Sequence, residues 1–366
     1  MMKTFNEIFE DRTKIGTKVK TDEYYEKGAY LIIDQGKNLI AGYTDMKDGL
    51  FEDVPAIIFG DHTRVIKYVE EPFFLGADGV KVLRSKYDDA NYKYLYYALK
   101  NAKIPDTGYN RHFKWLKEVK INYPDMKRQE EIVNVLDKVS SIIESREEEL
   151  KNFDTLIKSR FVEMFGDPEE NPFKWDKIPL SDVIVTANNG MTRRGNDEDG
   201  NIVMRLVELQ DGYIDYSNPN RIILKDNEKK KYLLNDKDFL FARVNGNPDN
   251  VGRCAVFHDI GEEVYHNDHI IRVHFNEDLL DGIFASSLLN SDYGKRQLKS
   301  QIKTSAGQYT VSQDGIGAIV TILPPMDLQE QFADFVHQVD KLKFEVQNSL
   351  NETQLLFDSL MQKYFG

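Results

Sequence analysis

Apolar residues in segment 124–166, PDMKRQEEIVNVLDKVSSIIESREEELKNFDTLIKSRFVEMFG, fall on seven-residue rows, and the chain writes this pattern twice. Leu136, Ile143, Leu150, Ile157 and Met164 form one row, which Val135, Val139, Ile142, Phe153 and Phe161 widen. Segment 324–366 places Phe332, Val339, Val346 and Leu360 on one row, with Phe335, Leu342 and Leu356 on the next. At a constant offset of 200 residues, Pro124/Pro324, Met126/Met326, Gln129/Gln329, Phe165/Phe365 and Gly166/Gly366 are identical. Apolar rows with charges between them predict long helices that pack along their length, and the flanking Pro and Gly supply start and stop signals. About 38 helical residues make a rod of roughly 57 Å. Such a rod cannot cover its own seam, so the two copies are expected to pair with each other.

Ahead of each rod the pattern changes to short apolar or alternating runs separated by Gly, Asp and Pro turns. In the first half these runs are 30–34, 56–59, 65–68 and 79–83, then a helical stretch at 92–104 and a last strand at 118–124. The tyrosines of 92–104 sit at helical spacing, which favours a core role over a stacking surface. The second half repeats the plan. It opens with 178–185 and a polar turn at 186–201, followed by strands at 202–209, 239–244, 254–257 and 270–275. A helix at 281–291 and a strand at 317–325 complete it. The predicted division is a globular domain at 1–126, a helix at 127–166, a second domain at 167–326 and a second helix at 327–366. The fold class is α/β (α+β): two mixed, strand-rich domains joined by two long helices paired as an antiparallel coiled coil.

Composition narrows the function classes. The 366 residues, 41% hydrophobic and 30% charged, are ordinary for a globular protein with two or three domains. The start, MMKTFNEIFEDR, has acids where a signal peptide needs an apolar run, and no run approaches the roughly 18 apolar residues of a membrane span. A single cysteine, Cys254, excludes an internal disulfide and fits a reducing cytoplasm. The net charge of −13 is uneven. Residues 1–126 hold 20 basic and 20 acidic residues, whereas 167–326 hold 18 and 25. Net acidity lowers the expectation of tight DNA binding by the chain alone without excluding it, because affinity follows local basic surface.

A globular unit ending in a strand, then P-x-M-x-x-Q-E and a long helix, written twice, resembles the specificity subunit of type I restriction–modification enzymes. The phrases GAYLIIDQGKNLIAGYTD (28–45), FGDHTRVIKYVEEPFFLGADGVKVL (59–83) and NDKDFLFARVNGNPDNVGRCAV (235–256) carry the same resemblance, which covers nearly the whole chain. It implies that the globular units are target recognition domains, each reading half of a split sequence in double-stranded DNA. It further implies that the helices separate the domains and dock two methyltransferase (M) subunits and restriction (R) subunits. S-adenosylmethionine, ATP and magnesium would then sit on those partners, with no cofactor in this chain.

The residues themselves show little catalytic machinery. There is no glycine-rich cofactor turn with an Asn/Asp-Pro-Pro-aromatic tetrad and no P-loop. Glu228-Lys229-Lys230 forms an E-x-K element without a preceding Pro-Asp pair, and His266, His269, His274 and Cys254 lack metal-ligand spacing. The chain reads as non-catalytic. Base readout needs forked donors and acceptors on exposed loops, and phosphate contacts need Lys, Arg and small polar groups. Candidates in the first domain are Gln35, Lys37, Asn38 and Tyr43 in one turn; His62, Thr63 and Arg64 in another; and Tyr109, Asn110, Arg111 and His112 in a third. The second domain offers Asn188, Asn189, Thr192, Arg193 and Arg194, then Arg243, Asn245 and Asn247, then Ser305, Gln308 and Tyr309. These sets are expected at corresponding places in the two halves, with Asp197 and Asp199 weakening the field at Arg194. Two rivals stay open. One is a coiled-coil or anti-restriction module that binds protein rather than DNA, which suits the acidic second domain. The other is a stand-alone nuclease.

Overall fold

The computed structural model describes every residue except Ala77, Tyr109 and Ala306, and only the main chain of Ser305. The chain divides into two compact units, Met1–Glu148 with Gln347–Gly366, and Glu149–Val346. The division cuts both long helices, Met126–Phe165 and Met326–Phe365.

In the first unit, an antiparallel sheet runs in the order Phe9–Asp11, Val80–Ser85, Ala56–Gly60, Ile66–Val69. A second sheet places Tyr30–Ile33 between antiparallel Gly42–Thr44 and parallel Phe73–Leu75. Met2–Thr4 pairs with Lys120–Asn122, which leads into the first long helix. The second unit repeats this wiring strand for strand. Its four-stranded sheet is Ile184–Asn189, Ile270–Phe275, Phe239–Ala242, Cys254–Val256. Its three-stranded sheet centres Asn201–Met204 between antiparallel Arg221–Ile222 and parallel Val264–His266. Asp176–Pro179 pairs with Val320–Leu323 ahead of the second long helix. Helices Asp226–Tyr232 and Asp292–Ser300 and the hairpin Lys303–Ser305/Gln308–Thr310 are additions to the second unit among the described residues.

The repeated P-x-M-x-x-Q phrase has a local cause. Gln129 and Gln329 are both fully buried, and the Nε2 of each donates to the carbonyl of Pro124 or Pro324, at 2.9 and 2.8 Å. Gln329 also donates to Leu279 O and accepts from the Asp281 N–H. The amide therefore pins the strand-to-helix turn with bonds that burial makes costly to lose. At the other end Gly166, at φ +75°, closes the first helix by donating its N–H to Val162 O, a left-handed cap that glycine adopts without strain.

The two helices run antiparallel, as seen inside each unit. In the first, Ile132, Leu136, Val139 and Ile143 of the first helix share a core with Phe357, Leu360, Met361 and Phe365 of the second. In the second, Ile157, Phe161, Met164 and Phe165 share a core with Phe332, Phe335 and Val336. Of the predicted pairing rows, Leu136, Phe332, Val339 and Val346 are buried, and Ile143, Leu150, Ile157 and Leu360 are half-buried. The widened seam holds in part. Val139 and Phe161 are buried, and Phe153 and Phe335 are half-buried. Val135, Ile142, Leu342 and Leu356 remain 38–52% exposed, because one partner helix covers only a narrow row and these positions lie about 60–100° around from it.

Tyr92, Tyr94 and Tyr97 are buried in the first unit's core. The Tyr97 hydroxyl and Lys93 Nζ both donate to the Asp137 carboxylate, at 2.8 and 2.9 Å, tying helix Tyr92–Lys100 to the first long helix.

Candidate nucleic-acid interface

In the first unit the predicted loops converge because buried polar groups stitch them together. Gln35 is half-buried and spans three loops. Its Nε2 donates to Asp78 O (3.1 Å), its Oε1 accepts from His62 N (3.2 Å), and its carbonyl accepts from Thr63 Oγ1 (2.6 Å). Asp61 is 3% exposed; its N–H donates to Gly79 O, and its carbonyl and carboxylate accept the N–H groups of His112 and Phe113. Arg64, at φ +62°, bonds Asp106 at 2.7 Å. The Gly108 N–H, and after it Arg64, hold the Asp106 carboxyl below the usual carboxylate range. Lys37, Asn38 and Arg111 are exposed along this rim, and Asn110 Nδ2 donates to Thr107 O. Tyr43 is not in the turn with Gln35. It lies in strand Gly42–Thr44, opposite Leu31. Tyr109 lies outside the described residues.

In the second unit the predicted polar turn starts later than expected, since strand Ile184–Asn189 carries Asn188 and Asn189. Gly190 then crosses the carbonyls of His266 and Asn267 so closely that a Cβ would collide with them. Beyond it the arginines diverge. Arg193 plays a structural part, its Nη2 donating to Ile223 O (2.6 Å) and to Glu228 (2.7 Å), which fastens the added helix Asp226–Tyr232. Glu228 is thereby explained as an anchor. Arg194 donates to Asp268 at 2.5 Å and lies 3.2 Å from His269 Nε2. Its carboxylate partner is thus Asp268; Asp197 instead accepts the Ile223 N–H. Arg243 also reaches this point, donating to Asp268 O at 3.0 Å. Burial, with Arg194 and Arg243 nearby and against the pull of Asp268, lowers the His269 pKa. That favours the neutral imidazole, which accepts from Arg194.

Asn189 accepts from Gln313 Nε2 at 3.3 Å, and both line a cleft of about 320 Å³ with Arg243, Lys303, Thr310 and Ser312. Val244–Asn245 pairs with Gln308–Thr310, setting Asn245 opposite Tyr309 beside an exposed Gln308. Asn247 caps the turn at Pro248–Asn250 through its own Oδ1. Asn189, Arg194, Arg243, Asn245, Gln308 and Tyr309 therefore collect in one region of the second unit. His266 is buried against Tyr232 O with its pKa pushed down to about 4 by desolvation. Among the described residues no group of three His, Cys, Asp or Glu is arranged to hold a metal ion.

The correspondence of the sets holds for two of three. Asp61 N donates to Gly79 O as Arg243 N donates to His269 O, and His112 N bonds Asp61 O as Val311 N bonds Arg243 O. These bonds equate 61–64 with 243–247 and the 112 region with the 311 region. Gln35–Asn38, however, joins Tyr30–Ile33 to Gly42–Thr44, so its counterpart is 205–220, not 188–194.

Sequence comparison adds to this geometry. A family model described as the type I restriction modification DNA specificity domain matches residues 1–152 and 172–353. The chain belongs to this family. Within it, the specificity-domain chain is 30% identical over 196 residues to the type I restriction enzyme StySPI specificity subunit of Salmonella potsdam, covering 52% of this chain and 42% of that one. It is 22% identical over 267 residues to the EcoKI specificity subunit of Escherichia coli K12, covering 68% and 57%. The matches thus span about half the length of these curated relatives. The crystal structure of a type I restriction–modification S subunit from M. genitalium shares the fold, with a TM-score of 0.59 at 18% identity over 100% of this chain and 96% of that one. A structure from a study of complex assembly and conformational transition in the type I system gives 0.54 at 13% identity over 100% and 97%.

The two arginines make separable predictions. Arg193→Ala is expected to loosen helix Asp226–Tyr232, at a cost of about 1 kcal/mol since the pair is partly solvated, with the target sequence unchanged. Arg194→Ala is expected to cost a similar amount through loss of its bond to Asp268 and, if this unit reads DNA, also to weaken recognition of one half-site only. Melting curves and methylation mapping on both variants check this; equal loss at both half-sites would contradict independent reading by the two units.

Proposed function

We propose that this chain is the sequence-reading subunit of a type I restriction–modification assembly, recognising a bipartite target in double-stranded DNA. The observation that carries the reading is the duplicated wiring. Each unit gathers its exposed polar loops through equivalent backbone bonds, yet the side chains at equivalent places differ, with a buried Asp61 in the first unit where the second has a half-buried Arg243. Two like-folded readers with unlike loops suit a target of two unlike halves, as paired half-sites suit dimeric readers. The chain contributes recognition; methyl transfer, ATP use and cleavage fall to partner M and R subunits carrying S-adenosylmethionine, ATP and magnesium.

The long helices support the partner half of this reading. Each unit exposes the same two repeat positions: Ile142 and Leu356 in the first, and Leu342 and Leu156 in the second. Equivalent apolar positions on two units suit two copies of one partner, hence two M subunits per chain. No helix is long and apolar enough to cross a membrane among the described residues.

The test is a genome-wide map of methylated bases in cells carrying this chain and its cognate M subunit, against deletion of this chain alone. A split motif of two unlike halves that disappears on deletion is the expected result. The pairing of Arg193 and Arg194 with carboxylates favours the protein-binding rival, and unchanged methylation with M expressed would select it.

A further inference from the structure

The equivalence of the two units exposes a segment that residue chemistry alone passes over. Gly190–Arg194 follows the first strand of the second unit's four-stranded sheet, and the first unit has a longer segment after its equivalent strand Phe9–Asp11, reaching the neighbouring strand end only at Val19. That segment is RTKIGTKVK, residues 12–20, with Arg12, Lys14, Lys18 and Lys20 and no carboxylate.

Three local features recur in the two segments. A glycine passes close to the end of the neighbouring strand in each: a Cβ at Gly16 would meet the side chain of Leu75, the last residue of Phe73–Leu75, and one at Gly190 would meet the backbone carbonyls of Asn267 and of His266, the last residue of Val264–His266. Soon after each glycine a buried residue donates its N–H to that strand end, Val19 to Leu75 O at 2.8 Å and Met191 to His266 O at 3.1 Å. Each segment also places a cation on an aspartate two residues before a strand of the four-stranded sheet, though at different points: Lys18, just before Val19, on Asp78 at 2.6 Å, and Arg194, three residues after Met191, on Asp268 at 2.5 Å. Finally, Asp78 joins this segment to the candidate rim, since its carbonyl accepts from Gln35.

The segments differ in what remains free. Arg193 is committed to the added helix of the second unit, whereas Lys14 is exposed and has no carboxylate partner among the described residues, next to an Ile15 that is 57% exposed. The turn is braced beneath it by Ile15 N donating to Arg12 O and Val82 N donating to Thr13 Oγ1. A fixed turn carrying an unpaired ammonium is suited to a phosphate oxygen, a contact that sets register without reading a base.

We propose that the turn at 12–18 is a phosphate-binding element of the first unit, with Lys14 contacting the DNA backbone and Lys18, held by Asp78, fixing the turn. This rests on the DNA-reading function above. The test is duplex binding across a salt series by the full chain assembled with its M subunits. Lys14→Glu is expected to weaken binding about ten-fold near physiological salt and to reduce the slope of log K against log salt by about one, with sequence preference intact. Lys14→Arg is expected to retain both affinity and slope. Lys86→Glu is the control for net charge, because Lys86 follows Ser85, at the end of strand Val80–Ser85 away from Asp78. A Lys14→Glu complex that matches Lys86→Glu in affinity and slope would overturn the phosphate contact while leaving the function standing. Absence of salt-dependent binding by the unmutated complex would overturn both.

Discussion

Replacing Phe165 with alanine is expected to destabilise the second unit by about 3–5 kcal/mol, the range for emptying a buried aromatic site. Phe165 is fully buried, with ring centroids 5.1 Å from Phe161, 4.8 Å from Phe284 and 5.5 Å from Phe332. Its carbonyl accepts the indole N–H of Trp175 at 3.0 Å. One side chain therefore joins the end of the first helix, the start of the second and helix Gly282–Leu289. The repeat supplies an internal comparison. Phe365 holds the same position in the first unit, lying 5.3 Å from Tyr94, but is only half-buried, so Phe365→Ala is expected to cost about half as much. Denaturation of the full chain can be followed unit by unit, because Trp115 lies in the first and Trp175 in the second. In a Trp115→Phe background, an unmoved Trp175 transition in Phe165→Ala would contradict this account.

The long helices were legible because a seven-residue apolar rhythm sustained over 40 residues has no competing explanation. The longer strands were legible too, at 56–60, 80–85 and 270–275. Gly42–Thr44, Phe73–Leu75 and Val264–His266 were not, since three residues are too few to show alternation. The added helix Asp292–Ser300 was also missed; its sequence, DYGKRQLKS, has a glycine inside and few apolar residues. At the candidate interface, residue chemistry located the loops but not their partners. Arg193 and Arg194 look alike in sequence, and only contacts to Glu228 and Asp268, 35 and 74 residues away, give them different roles. The turn at 12–18 was invisible for a related reason. Its basic residues suggest a solvated face until the bonds of Lys18 to Asp78 and of Gln35 to Asp78 tie it to the candidate rim.

The largest functional effect is expected on the long helices. Ile142 and Leu342 are equivalent in the repeat and lie 48% and 47% exposed in their respective units. A large aliphatic side chain half-exposed at the same register in both units suits one docking contact made twice. Truncating or charging such a position at the centre of an interface typically costs about 2 kcal/mol or more of binding, about thirty-fold in affinity. Ile142→Asp is therefore expected to leave the fold intact and release one M subunit, giving a complex with one M per chain. Leu342→Asp is expected to release the other, and the double variant to abolish assembly and methylation together. Analytical ultracentrifugation of the reconstituted complex reads the stoichiometry directly, with melting curves as the check on folding. Retention of two M subunits by the folded double variant would place the docking surface elsewhere on the chain. Loss of both from either single variant would mean that the two docking events are coupled rather than independent copies of one contact.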